Sequence, residues 1–490
     1  MERLWKLSSH TVEERKETMT REGMAVPHTV LCEKLISDGN LFEAAKKVQA
    51  NGGAPGIDGM KASEAVKYIQ ANKEKIAGEI IARKYKPSPV KRVEIPKENG
   101  KVRLLGIPTV RDRIVQQALV QVLTPVFEPT FSEHSYGYRP KRSAEDAVRL
   151  AQAYMAEGHE WVVDLDMSKF FDTVDHDILM GFVDRELEDK DLRRLIYVFL
   201  KAGVLVNGQK EKTPLGVPQG GPLSPLLANI YLTPFDKEME RRGRKFVRYA
   251  DDIILFTKSE WAARRVLINT TRYLEKKLKL KVNGEKSSAR PAKGSDFLGF
   301  TFQTTRGEEG ARGRCVPKDG KKEKLKAELK ELTKRNRGVS LERVIREVNQ
   351  TMKGWLAYYA RASLTRWLNR ELLPWLRRRI RQYMWKLWKT AKNRKRQIRK
   401  AGIEEWRIQR FKGWSNRNWW AMARAIQCLI NNKLLVTHYK LDDFEARYRY
   451  WHQRRKAKDD ELDKYEYLVR QYEEEQEMRL LADLGDSLCW

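Results

Sequence analysis

Phe246-Val247-Arg248-Tyr249-Ala250-Asp251-Asp252-Ile253-Ile254-Leu255-Phe256 places two adjacent acids between two runs of large apolar and β-forming side chains. Such runs, joined by a short polar step, predict a β-hairpin with the acids at or beside its turn. Holding two carboxylates against a buried sheet is costly unless something compensates their charge, and a divalent cation does so. An ordinary Asp-containing turn explains the turn, yet not why both residues are acidic. Upstream, Val162-Val163-Asp164-Leu165-Asp166-Met167-Ser168-Lys169-Phe170-Phe171-Asp172 is a second apolar strand ending in acids. One Asp from it and the pair from the hairpin can converge on two metal ions. Such a site lowers the pKa of an attacking hydroxyl and neutralises a transferring phosphoryl group. Carboxylate ligands with no His or Cys nearby in sequence favour Mg²⁺ over zinc.

Outward from this centre, Val90 to Ile107 alternates in strand fashion around Glu98-Asn99-Gly100 and predicts a second hairpin. Helical character runs from Arg111 to Val126, and Trp161 to Leu165 predicts a buried strand. Ser224-Pro225 has the order of a helix N-cap followed by Pro, and Gly220-Gly221 before it lets backbone approach a ligand closely. Short strands are expected at Lys281–Asn283 and Phe297–Phe302. Two short helices are expected around Asp38-Gly39-Asn40, then a loop from Asn51 to Gly59. Beyond Gly320 the apolar period is helical: Val344, Ile345, Val348, Met352, Trp355, Leu356 and Tyr359 share one face, and Leu372, Leu376, Ile380, Tyr383, Leu387 and Trp388 another. Mixed α and β therefore give way to helix at about residue 305.

The 490 residues carry 97 Lys and Arg against 66 Asp and Glu, a formal charge of +31. A chain so basic attracts polyanions, of which nucleic acid is the usual one. The four scattered cysteines form no C-x-x-C pair, which argues against a zinc site or a disulfide framework. No apolar run is long enough to span a bilayer, and the charged start is unlike a signal peptide, so a cytoplasmic protein of the bacterial cytosol or nucleoid, with no membrane partner, is expected.

Tyr249-Ala250-Asp251-Asp252 within its apolar frame resembles the catalytic hairpin of reverse transcriptases. Pro218-Gln219-Gly220-Gly221-Pro222-Leu223-Ser224-Pro225 is similar to the block that precedes it in group II intron-encoded enzymes. A strand Asp, Gln219-Gly220-Gly221, the paired acids and Phe297-Leu298-Gly299-Phe300 follow one another in the family order. The resemblance implies an α+β right-hand polymerase with fingers, an antiparallel-sheet palm and a helical thumb. It copies an RNA template from a DNA primer with deoxynucleoside triphosphates. The family acid stands five residues before an aromatic and six before another Asp, which selects Asp166 over Asp164. Asp166, Asp251 and Asp252 are then the catalytic acids holding two Mg²⁺ (or Mn²⁺ in its place), with a backbone carbonyl from Leu165 or Met167. By the same resemblance Phe171 lies under the incoming sugar and Gln219 against the nascent base pair. Lys97, Arg103 and Lys286 hold the triphosphate, and Arg139, in His134-Ser135-Tyr136-Gly137-Tyr138-Arg139-Pro140, contacts template.

Eleven of the 14 tryptophans follow residue 350, and between Leu376 and Arg424 there are 17 Lys and Arg against two acids. A surface carrying Arg377, Arg378, Arg379 and Arg381 repels itself unless a polyanion covers it, so these four are expected to contact RNA. Met352-Lys353-Gly354-Trp355-Leu356-Ala357-Tyr358-Tyr359 resembles the thumb, or maturase, domain of group II intron proteins, and Lys392 to Leu435 their basic helical DNA-binding region. Structured intron RNA and target DNA are the implied partners. No paired-cysteine segment follows, so the His-Asn-His nuclease of some relatives is expected to be missing. The expected division is a tail at 1–28, N-terminal extension and fingers at 29–160, palm at 161–305, thumb at 306–390, DNA-binding region at 391–440 and a charged tail at 441–490. From 457 onward 11 acids face four bases, which suggests an acidic flap over the basic face or a solvated helix. Besides the polymerase, two other readings stand: an RNA-binding splicing cofactor, and a reverse transcriptase recruited to DNA repair or defence.

Overall fold

In the computed structural model, which describes residues 29–96, 102–206, 208–303, 314–416, 418–455 and 457, the chain divides into two units. One takes in residues up to 147 together with 161–290, the other 148–160 and everything from 291. The division falls at 290, ahead of the expected 305, and 148–160 joins the later half. The tail at 1–28, the Glu98-Asn99-Gly100 turn, Lys97 and the acidic segment past 457 lie outside the described residues.

The strands of the first unit are β1 (Val90–Pro96), β2 (Val102–Ile107), β3 (Trp161–Leu165), β4 (Val204–Val206), β5 (Gln209–Glu211), β6 (Lys245–Tyr249), β7 (Asp252–Thr257) and β8 (Ser288–Pro291). They form two four-stranded sheets, ordered β2-β1-β4-β5 and β6-β7-β3-β8. The hairpin expected at 90–107 is present, Lys91 pairing with Ile107 through to Pro96 with Val102. Its parallel partner β4 is too short to announce itself by alternation. The second sheet is antiparallel where β3 meets β7 and β7 meets β6. Its inner strands are nearly continuous apolar runs, since Val162, Val163, Ile253, Ile254, Leu255 and Phe256 are all buried.

Helices cover these sheets. Helix Val110–Phe127 begins where Thr109 accepts from the Asp112 amide, and Asp112, though buried, accepts in turn from Thr109, Tyr85 and Ser88. One face of Ser224–Arg241 packs Leu227, Ile230, Tyr231 and Phe235 into the same core as Leu119, Leu123, Leu165, Phe170 and Leu255. The expected break at Asp38-Gly39-Asn40 lies earlier, at Ser37. Its hydroxyl caps the helix Asp38–Asn51, so these three residues form that helix's first turn. The strand expected at Lys281–Asn283 is a single bridge from Val282 to Met167. Its backbone groups pair instead with the loop leaving β3.

In the second unit β9 (Asp296–Phe297), β10 (Phe300–Gln303) and β11 (Arg314–Pro317) make a small antiparallel sheet. Leu298 and Gly299, both at positive φ, form the turn between β9 and β10. Helices then follow: Lys321–Leu332, Leu341–Tyr358, and a run from Thr365 to Leu387 with a π turn at Leu368–Leu372 just before Pro374, whose missing N–H breaks the regular ladder. The buried faces are those expected, except that Leu387 is exposed and Trp355 half-buried. No helix among the described residues is long and apolar enough to cross a membrane.

Candidate functional site

Tyr249 pairs with Asp252, which leaves Ala250 and Asp251 as a two-residue turn. Ala250 has φ 58, a left-handed conformation that a residue with a Cβ adopts at some cost, so the surroundings must enforce it. On the other side of β7, Asp164 stands opposite Ile254 and Leu165 opposite Ile253. One step further along that ladder brings Asp166 level with Asp252, on the face that Asp164 also occupies. Four carboxylates thus collect at one end of the sheet. Leu165 and Met167 have buried side chains, so only their backbone carbonyls could serve an ion.

The acids are clamped by a turn that the sequence reading valued only for its lysine. Asp166 donates its amide to Ser287 Oγ at 3.0 Å and accepts from the Asn283 amide at 2.8 Å. Its carboxylate accepts from Asn283 Nδ2 at 3.1 Å and lies 3.3 Å from Lys286 Nζ. Arg290 on β8 pairs with Asp164 at 2.6 Å. Asn283, Ser287 and Arg290 were missed, having no motif of their own. Among the described residues no three acids, histidines or cysteines close on one point as an ion cage, and two of the four carboxylates, Asp164 and Asp166, are held by cationic or amide partners.

Asp252 shows the strain of the cluster. Desolvation at the end of the sheet, then repulsion from Asp251, Asp164 and Asp166, push it up to about 6, while Lys286 pulls the other way. Its side chain nevertheless reaches solvent, so the neighbouring negative charges deserve more weight than desolvation. An all-oxygen donor set of this charge fits Mg²⁺ or Mn²⁺. A carboxyl raised in the fold from 3.8 stabilises below its unfolded value, and that contribution is lost as pH rises toward 6. In metal-free protein Asp252→Asn should therefore raise Tm above pH 6 and leave it unchanged near pH 4. Equal Tm at both pH values would remove the repulsion from the account.

A cleft of about 610 Å³ in the same unit brings Phe171 and Gln219 together with Tyr138, Arg113 and Gly53. Phe171 is half-buried and meets Phe170 edge-on at 5.1 Å. Backbone of the Gln219 loop is pinned by Gly106, whose amide donates to the Gln219 carbonyl at 2.6 Å. Here two expectations change. A Cβ on Gly220 would meet the Gly106 carbonyl at 2.5 Å, and one on Gly221 would meet Gln116 Oε1 at 2.4 Å. These glycines, which also line the cleft, are required where protein backbone and Gln116 pack against the loop. Ser224 caps nothing: its hydroxyl donates to the Pro218 carbonyl at 2.6 Å and Leu223 holds the cap position.

Arg139 is likewise corrected. It is buried, donates to the Ser132 and Ser135 carbonyls and pairs with Glu128 at 2.9 Å, so it shapes its loop instead of facing template. Arg381 is buried too and donates to the Ile430 carbonyl and Asn432; burial, then Arg377, pull it down to about 10. Arg379 is committed to Thr333 and the Lys330 carbonyl. Of the four, exposed Arg378 and half-buried Arg377 remain available. Arg103 lies on β2, its side chain outside the described residues.

Residues 95–302 match the family model described as reverse transcriptase (RNA-dependent DNA polymerase), and 322–402 that of the group II intron maturase-specific domain. Protein YkfC of Escherichia coli K12 is 35% identical over 287 residues, half of this chain and 75% of YkfC. The group II intron-encoded protein LtrA of Lactococcus lactis is 37% identical over 249 residues, 49% of this chain but 40% of LtrA. A solved partial Cas6-RT-Cas1–Cas2 complex shares 25% identity over 50% of this chain and 43% of its own, with a TM-score of 0.33, too low to build on. The chain belongs to the group II intron-encoded reverse transcriptase and maturase family.

Proposed function

We propose that the chain copies RNA into DNA by metal-dependent nucleotidyl transfer and also binds intron RNA to assist splicing and mobility. The observation that carries this reading is the convergence of Asp166, Asp251 and Asp252 at one sheet end, beside a cleft lined by Phe171 and Gln219. In this reading β1 and β2 belong to the fingers, the β6-β7-β3-β8 sheet is the palm, the helices from Lys321 to Leu387 are the thumb, and 391–440 is the DNA-binding region.

Asp166, Asp251 and Asp252, with the Leu165 or Met167 carbonyl, would hold two Mg²⁺ ions. When bound, these lower the pKa of the primer hydroxyl and offset charge on the triphosphate. The protein's part is positioning. The Asn283–Ser287 turn fixes Asp166 from its backbone as well as its side chain. Lys286 pairs with Asp166 at 3.3 Å, and its ammonium on a flexible stem would also suit a phosphate of the incoming triphosphate. Phe171 would lie under the sugar and exclude a ribose 2′-OH, and Gln219 would rest against the base pair. Lys97 and Arg103 would add their cationic side chains to the triphosphate. An RNA template annealed to a DNA primer should be extended with deoxynucleotides in Mg²⁺. Failure to extend under any divalent ion would leave the splicing cofactor as the better reading.

Support for RNA binding comes from the second unit, though not from the residues first expected. Arg314, Arg366 and Arg370 line a cleft of about 430 Å³ with Ser363 and Thr365, and none of the three is ion-paired among the described residues. Guanidinium forks beside hydroxyls suit phosphodiester oxygens. Changing all three arginines to Ala should weaken binding of a structured intron RNA at least about tenfold, and flatten the salt dependence by roughly two log units per log unit of salt. An unaltered slope would place the RNA elsewhere.

A further inference from the structure

Arg248 lies on β6 just before Tyr249 and the paired-acid turn and is completely buried, as is its partner Asp236. Taking both charges out of water is expensive, and the geometry answers that expense donor by donor. Arg248 Nε donates to both oxygens of Asp236 at 2.8 and 2.9 Å, and Nη2 to Asp236 Oδ2 at 2.6 Å. Nη1 has two other partners: Asn229 Oδ1 at 2.9 Å and the carbonyl of Ala250 at 3.1 Å. That carbonyl belongs to the left-handed residue of the turn, one peptide before Asp251.

Asn229 carries the network onward. Its amide donates to the Gly137 carbonyl at 2.9 Å. The segment around Gly137 is laced to Arg248 from the other side, the Arg248 amide donating to His134 and the Arg248 carbonyl accepting from Tyr136, each at 2.9 Å. A Cβ at position 137 would stand 2.3 Å from the Ala250 amide nitrogen, so only glycine lets this strap lie against the turn. The strap, the helix Ser224–Arg241 and the hairpin thus meet at a single guanidinium. Sequence distance hides the arrangement, since its members lie at 137, 229, 236 and 248.

We infer that Arg248 is a positioning residue for polymerisation: with Asp236 and Asn229 it locks the Ala250 peptide in its left-handed pose and thereby aims the carboxylate of Asp251. The inference rests on the polymerase reading, because it treats Asp251 as a metal ligand. A buried ion pair serving stability alone would need only Asp236. The contacts of Nη1 with Asn229 and the turn carbonyl are what tie it to the site. A lysine keeps the charge opposite Asp236 but has one nitrogen on a flexible stem and cannot fork to three partners.

The test compares wild type, Arg248→Lys and Asn229→Ala in the full chain by three readouts. Mn²⁺ binding is followed by electron paramagnetic resonance of the free ion. Hydrogen exchange is followed in metal-free protein over peptides spanning 245–256. Steady-state primer extension separates kcat from the deoxynucleotide KM. For Arg248→Lys we expect kcat about 10- to 100-fold lower with little change in KM, as for a catalytic group moved by less than an ångström or so. Mn²⁺ binding should weaken several-fold, and exchange at the turn should speed up while the rest of β6 and β7 stays protected. Asn229→Ala, which leaves the ion pair whole, should show the same pattern more mildly. It also serves if Arg248→Lys does not fold. Variants with lower Tm but wild-type kcat, Mn²⁺ affinity and turn exchange would overturn the inference. Wild-type protein that neither binds Mn²⁺ nor extends a primer would instead overturn the polymerase reading beneath it.

Discussion

Asp251→Asn should abolish Mg²⁺-dependent extension of a DNA primer on RNA while leaving the protein folded. The residue sits at the tip of a two-residue turn, so its side chain supports no core packing. Its replacement removes one negative charge from a site where desolvation and then neighbouring carboxylates, Asp251 first among them, raise Asp252 to about 6, and metal-free protein should be no less stable for it. The loss is therefore catalytic. Metal-supplied charge stabilisation amounts to several kcal/mol, which corresponds to about a thousandfold or more in rate. Single-turnover extension at saturating template-primer measures it directly. Residual activity within tenfold of wild type would show that Asp251 holds no metal and would move the site assignment to Asp164 and Asp166.

Gly137→Ala is expected to damage the same site from outside the motif. The added methyl would meet the Ala250 nitrogen at 2.3 Å and the Tyr249 carbonyl carbon at 2.9 Å, both backbone atoms held in a sheet and a strap. Neither can yield as a side-chain tip does, so the strap or the turn must shift. We expect a stability loss of about 1–3 kcal/mol from overpacking. A fall in kcat of about tenfold or more should accompany it, because the turn carries Asp251. Gly78→Ala is the control: nothing lies within 4 Å of a Cβ there, and its place inside the helix Ala65–Ile81 predicts a gain of up to about 1 kcal/mol. If Gly137→Ala matches wild type in both Tm and kcat, the close approach has no functional consequence.

The paired-acid hairpin, the strand that ends just before Asp166, the 90–107 hairpin and the helical second half were all legible, because apolar periodicity reports which face of an element is buried. Expectations failed where a residue's partners are backbone carbonyls or lie far along the chain. Arg379 and Arg381 read as solvent-facing cations, since nothing nearby announces the Lys330 and Ile430 carbonyls that accept their hydrogen bonds, and Arg139 reads so because the Ser132 and Ser135 carbonyls beside it carry no sequence signal. Arg314, Arg366 and Arg370 drew no notice, yet they line one cleft. Gly220 and Gly221 read as making room for a ligand, and the fold shows that they also make room for Gly106 and Gln116.

Identity of the acids, their order along the chain and the turn that presents two of them were determined by the sequence itself. Such features depend on local alternation and on residue type. What only the tertiary structure decided is what surrounds them: that Asp166 is gripped by Asn283 and Ser287, that Asp164 answers Arg290, and that a buried Arg248 holds the turn at Ala250. A buried charge survives only where several donors and acceptors converge on it, and that convergence is set by the packing of strands and helices distant in sequence.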